Sequence, residues 1–190
     1  MKHQLMALSV ALSCAFAGSA LALTKEEYKA GNDRISADYK LAKNKCDSFK
    51  ANAKDICMAE ARGAEKVAKA ELESQYKPSN RSTEKVALAK ADAAYGLAKE
   101  KCDDLAGNPK DVCEKDAKAA HVKAKEDAKV AKTSADVSTS TSTKVADANR
   151  DANKEKREAD YKAARERCDA LAGPAKDTCQ NDAKAKFGMK

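Results

Sequence analysis

A stretch that occurs three times constrains this chain more than any other feature. Its copies read KNKCDSFKANAKDICMAEAR, KEKCDDLAGNPKDVCEKDAK and RERCDALAGPAKDTCQNDAK. They place Cys46 and Cys57, Cys102 and Cys113, and Cys168 and Cys179 at one common spacing of eleven positions. In every copy an Asp follows the first cysteine, Lys-Asp stands just before the second, and a tyrosine (Tyr39, Tyr95 or Tyr161) lies seven residues upstream. Self-similarity of this kind defines the structural unit before any local reading does.

The unit reads as helix, tight turn, helix. The residues ahead of Cys102, EKVALAKADAAYGLAKEKCDDLA, are nearly all good helix formers. Gly107 suits the left-handed conformation that ends a helix, and Asn108, Pro109 and Asp111 supply a cap, a first-turn proline and a first-turn negative charge. Copy one keeps Asn52 and Asp55 without the Gly and Pro, and copy three has Gly173-Pro174, its proline one residue earlier. Leu88, Tyr95 and Cys102 recur every seven residues, with Ala91, Ala98 and Leu105 three positions later, which is a heptad seam. Ile35, Tyr39, Ala42, Cys46 and Phe49 repeat it in copy one, and Cys113, Ala117, Ala120, Ala124 and Ala128 line the return helix of copy two. Alanine at the seam lets two helices approach as closely as a disulfide requires. The pairing expected is therefore Cys46–Cys57, Cys102–Cys113 and Cys168–Cys179, one staple per antiparallel hairpin.

A rival reading gives the thiols to a metal, flanked by Asp47 and Asp55 or their equivalents Asp103 and Asp111. Zinc sites favour C-x-x-C knuckles or Cys/His sets, and beyond the first residues the one histidine, His121, lies outside the motif. The expectation is accordingly no metal and no cofactor, with the aspartates as cap and turn residues and the tyrosines in the seam.

Residues 1–22 read as an export signal: Lys2 and His3, then an apolar run, then Ala20-Leu21-Ala22 as the cleavage pattern. Cys14 stands in Ala-Leu-Ser-Cys, a poor match to a lipoprotein signal, and its removal leaves six cysteines in three equal pairs. Cleavage would leave no transmembrane anchor and a chain in the periplasm or secreted, where disulfides persist. Removing Lys2 also takes the net charge from +7 to +6.

Composition then bounds the architecture. From Leu23 onward only 18 of 168 residues are Leu, Ile, Val or Phe, too few for one large core. The fold class expected is all-α: three disulfide-stapled helical hairpins with Ala-rich, coiled-coil-like seams, joined by flexible linkers and weakly coupled. Hairpin one covers residues 23–77, a linker 78–81, hairpin two 82–132, a Ser/Thr-rich linker 133–143, and hairpin three 144–190. Thr24 with Glu27 opens the first helix as a capping box. Asn80-Arg81-Ser82 is formally a glycosylation acceptor. In copy three the early seam positions fall on Asp147, Lys154 and Arg157, so that helix is expected to fray or stay solvated ahead of Tyr161.

Repeats of the form ADYKLAKNKCD followed by KDIC, AAYGLAKEKCD followed by KDVC, and ADYKAARERCD followed by KDTC resemble a group of small exported bacterial Ala/Lys-rich proteins. These are labelled TolA-like after the helical stalk of that envelope protein. The likeness covers nearly the whole chain beyond its first residues, whereas the link to TolA itself is compositional. It implies a periplasmic helical protein and carries over no active-site residue.

No serine–histidine arrangement, phosphate-cradling glycine loop or histidine cluster points to catalysis, so the expectation is a non-enzymatic protein. The function expected is a structural or interaction protein of the cell envelope. Its partner would be an envelope protein, an anionic envelope polymer or lipid, or a second copy by self-association. The alternative is a metal-binding or redox and stress-response module built on the Cys/Asp turns. The basic residues form no dense block and few aromatics are interleaved with them, so nucleic acid is not expected as a partner.

Overall fold

A computed structural model describes residues 22–137 and 142–189. The proposed export segment, apart from Ala22, and part of the Ser/Thr-rich linker lie outside these described residues. The fold is all-α: α1 (Lys25–Cys46), α2 (Ala51–Tyr76), α3 (Asn80–Cys102), α4 (Asn108–Asp136), α5 (Ser142–Cys168) and α6 (Gly173–Phe187). They form three consecutive antiparallel pairs, closed by Cys46–Cys57, Cys102–Cys113 and Cys168–Cys179 with Cα separations of 5.5, 5.6 and 5.6 Å.

Among the described residues each helix packs only against its neighbours in sequence. The result is an open row one helix thick, as in other repeat arrays. A helix in such a row has solvent above and below it, which explains the thinness of the interior. The buried apolar side chains are Ala61, Ala91, Ala119, Ala128, Ala152, Ala159, Ala163 and Ala183 together with three cysteines. Cys46, Cys102 and Cys168, at 0% exposure, are the largest fully buried side chains. The disulfides are thus the bulkiest parts of the core as well as its cross-links.

Helix starts follow local chemistry. Thr24 caps α1 in the expected box: Glu27 N donates to Thr24 Oγ1 at 3.2 Å, and Thr24 N donates to Glu27 Oε2 at 2.8 Å. The position five residues after each first cysteine takes a positive φ in all three turns: 48° at Ala51, 60° at Gly107 and 56° at Gly173. Gly107 is the N-cap of α4, so Asn108 is already helical and is not the cap expected of it. Gly31, inside α1, sits where a Cβ would meet Leu72 Cδ1 at 2.7 Å. It is there because α1 and α2 approach closely.

The hairpins are more firmly joined than their sequence implied. The first junction is three residues, Lys77, Pro78 and Ser79, and it is an ordered turn. The hydroxyl of Ser82, the one buried polar side chain among the described residues, accepts from Ser79 N at 2.9 Å and lies 3.0 Å from the carbonyl of Lys77. Lys85–Glu73 (2.6 Å) and Lys90–Glu71 (2.8 Å) tie α2 to α3, and Lys123–Asp160 (2.7 Å) and Lys156–Asp127 tie α4 to α5. Helix α4 runs to Asp136 and takes in residues assigned to the second linker. Asn80, the formal glycosylation acceptor, donates its amide to Asp136 at 2.8 Å.

Helix α5 also departs from expectation. It is continuous from Ser142, because its first half packs on α4 instead of α6, with Ala152, Ala159 and Ala163 buried there or nearby. Only a return helix running the full length of α5 would pack on Asp147, Lys154 and Arg157. With only 15 residues, α6 ends before it can reach them.

Candidate interaction surface

Because successive helices alternate in direction, the three disulfide turns fall on the same side of the row. Two side chains stitch them together. Asn52 Nδ2 donates to the carbonyl of Glu100 and to Asp104 Oδ1, both at 2.7 Å, and Asn108 Nδ2 donates to the carbonyl of Glu166 at 3.0 Å. Each asparagine stands five residues before the second cysteine of its hairpin. It gives a second donor to a carbonyl in the last turn of the next hairpin's outgoing helix, which also accepts from the backbone N–H of Asp103 (3.2 Å) or Asp169 (3.1 Å). The corresponding residue of copy three is Pro174, which has no side-chain amide to donate.

The Asp after each first cysteine has the same partner throughout. Asp47–Lys54 (2.8 Å), Asp103–Lys110 (2.7 Å) and Asp169–Lys176 (2.8 Å) clasp the turn from side to side. Asp47 and Asp103 are C-cap residues, where a carboxylate meets the unfavourable negative end of the helix dipole. The lysine offsets that. Its hydrogen bond and charge hold the carboxyls of Asp47 and Asp169 below their ordinary range, and Asp103 raises Lys110 above its own. The repeated Asp and Lys of the motif are therefore explained by the turn itself.

The apolar residue three positions after each first cysteine is different. Phe49, Leu105 and Leu171 are exposed by 49%, 44% and 43%, and with Leu41 they are the exposed large hydrophobic residues of the described chain. Phe49 and Leu105 were expected in the seam. The helices stop at Cys46 and Cys102, so the heptad count runs past the helix ends and these side chains project from the turns. The signal that identifies them is their shared offset, not their hydrophobicity. With interaxial spacings of roughly 8–10 Å, every second turn recurs after roughly 16–20 Å, and that sets the spacing of the three apolar points.

The other residues singled out in the sequence are distributed along the row. Tyr95 stacks on His121, with ring centroids 4.5 Å apart, and His121 Nε2 lies 2.6 Å from Asp92 Oδ1. Tyr39 lines a groove of about 270 Å³ between α1 and α2 with Ile35, Ala61 and Ala64. The six cysteines of the three repeats are all paired, and no group of three or more His, Cys, Asp or Glu able to hold a metal ion occurs among the described residues. None of the described helices is long and apolar enough to cross a membrane.

The class so defined is an open all-α repeat array of three disulfide-closed hairpins with a row of apolar turns along one side. Compared with protein-family models, with curated proteins and with solved structures, the chain has no match.

Proposed function

We propose that the protein is a non-enzymatic structural or interaction component of the bacterial cell envelope. It acts in the periplasm and presents its three turns as one repeated surface to an envelope protein or an anionic envelope component. The observation that carries this reading is the equivalence of Phe49, Leu105 and Leu171: three copies of one exposed apolar residue, held in line by Asn52 and Asn108. Burying half-exposed side chains of this size contributes only about 1 kcal/mol each, so one turn alone binds weakly. Three on one rigid row bind by avidity. The net charge, +7 for the whole chain and +6 once the segment carrying Lys2 is removed, favours acidic partners, with a contribution that salt screens.

The thiol-based alternative draws less support from the geometry. In each turn the two sulfurs are bonded to each other and the adjacent carboxylate is held by a lysine. Neither group is left free for an ion.

The test is retention on native envelope fractions with Phe49, Leu105 and Leu171 replaced by Ser singly and together, at low and high salt. Stepwise loss, complete in the triple variant, is the expected result. Unchanged retention of the triple variant would sink the reading, as would total loss from one position with no effect of the other two.

A further inference from the structure

The two contacts between hairpins use one set of positions on the outgoing helix, counted back from its cysteine. In α5 these are Ala152, Lys156, Ala159, Ala163 and Glu166. Ala159 and Ala163 pack with Ala119 of α4, Lys156 pairs with Asp127, and the carbonyl of Glu166 accepts from Asn108. In α3 the same positions are Val86, Lys90, Ala93, Leu97 and Glu100. Ala93 lies so close to α2 that a Cβ on Gly63 would meet its side chain at 2.9 Å, Lys90 pairs with Glu71, and Glu100 accepts from Asn52.

Helix α1 carries the same set: Ala30, Arg34, Ala37, Leu41 and Asn44. No hairpin precedes it among the described residues, and all five positions are exposed, Leu41 by 61% against 2% for its equivalent Ala163. Arg34, standing where Lys90 and Lys156 bridge to the previous hairpin, has only a stretched contact of 3.9 Å to Asp38 on its own helix. So α1 keeps the face by which this fold joins one hairpin to another.

Among the described residues α6 offers only part of the complementary face. Pro174 replaces the stitching asparagine, and α6 ends at Phe187, before the position at which α2 and α4 supply Glu71 and Asp127. An α6-to-α1 contact would therefore lack both polar links, and open-ended growth is not favoured. A two-fold contact of α1 with α1 lacks those two links as well, but α1 carries charges of both signs that can replace them. The antiparallel register that sets Leu41 over Ala30 of the second copy sets Arg34 over Ala37 of that copy, one position from its Asp38. Both relations occur twice, as an isologous interface requires.

We propose that the outer face of α1 is a self-association site at which a second copy of this chain docks antiparallel, giving a doubled row closed by α6 at both ends. This goes beyond the reading of the turns and does not depend on what they bind.

Sedimentation equilibrium of the protein purified from an exporting host, with its disulfides intact, tests it. A dimer is expected, and Leu41→Glu should weaken it by at least about tenfold in dissociation constant, because a central apolar anchor becomes a buried charge. Ala37→Glu should do the same, while Leu105→Ser at the turn should leave the dimer unchanged. Circular dichroism of each variant should match the parent, since both α1 sites are exposed. A monomeric parent at hundreds of micromolar would overturn the proposal. So would a dimer that survives both α1 substitutions, or one that Leu105→Ser dissolves.

Discussion

The side-chain amide of Asn52 lies 2.7 Å from the carbonyl oxygen of Glu100, 48 residues further on, and so ties the first turn to the second. Asn52→Ala removes this bond and the second one to Asp104. A net loss of about 1 kcal/mol is expected, typical of a hydrogen bond whose acceptor stays partly solvated. In a one-dimensional row the effect should be local. Amide exchange should therefore quicken near the ends of α3 and the start of α2 while α5 and α6 are unchanged. Equal protection in the Asn52→Ala variant and its parent would remove the stitching role.

Ala51 is the one non-glycine residue at positive φ among the described residues, at a position where the other two copies carry glycine. A Cβ there costs about 1–2 kcal/mol in the left-handed region. Ala51→Gly should thus stabilise the first hairpin by up to that amount, less about 0.5 kcal/mol of added chain entropy. Gly107→Ala should destabilise the second. Thermal melting of the two variants checks both signs, and a destabilised Ala51→Gly would contradict the account of the turn.

The Asp–Lys clasps give the fold a direction in pH. Asp47 and Asp169 titrate below the ordinary carboxylate range because Lys54 and Lys176 donate to them, and Glu27 does so through the backbone and hydroxyl of Thr24. A group whose folded pKa is depressed stabilises the fold above its unfolded value, and the benefit disappears as pH falls through the folded value. Stability should therefore be flat from neutral pH down to about 4 and then decline. Replacing Lys54 and Lys176 together by Met should reduce the acid sensitivity of the melting temperature. Lys110 and Lys132, raised by Asp103 and Asp136, act in the opposite sense and should matter only above about pH 10. An acid limb as steep in the double Met variant as in the parent would refute the assignment.

The hairpins were legible in the sequence because a disulfide across a short turn is a local event, set by the eleven-residue spacing and the turn chemistry around it. The joins between hairpins were not. They depend on the second face of α3 and α5, and alanines such as Ala93 and Ala159 look alike whether they face a neighbour or solvent. Only the recurrence of a basic residue at Arg34, Lys90 and Lys156 marks that face, and it is visible only once the helices are set side by side. Phe49 and Leu105 were misplaced for a related reason: periodicity says which face a residue takes on a helix, but not where the helix stops.

A core of alanines and cysteines also makes the three disulfides unequal. Each closes an eleven-position separation, worth about 3 kcal/mol in the chain-entropy model, so local terms alone would make their removal equivalent. The neighbours differ, however. The central hairpin meets α2 on one side and α5 on the other, whereas each outer hairpin meets one neighbour. Replacing Cys102 and Cys113 by Ser loosens the unit through which both interfaces are coupled. Replacing Cys46 and Cys57, or Cys168 and Cys179, loosens only an end. The central variant should show the largest fall in melting temperature and the broadest transition, because the two outer hairpins then melt separately. Either terminal variant should keep a cooperative two-hairpin transition with its helicity reduced by the share of the affected pair. Circular dichroism melts of the three double variants decide the matter. Three equal falls with equal sharpness would mean that the joins contribute little, and the hairpins would have to be treated as independent after all.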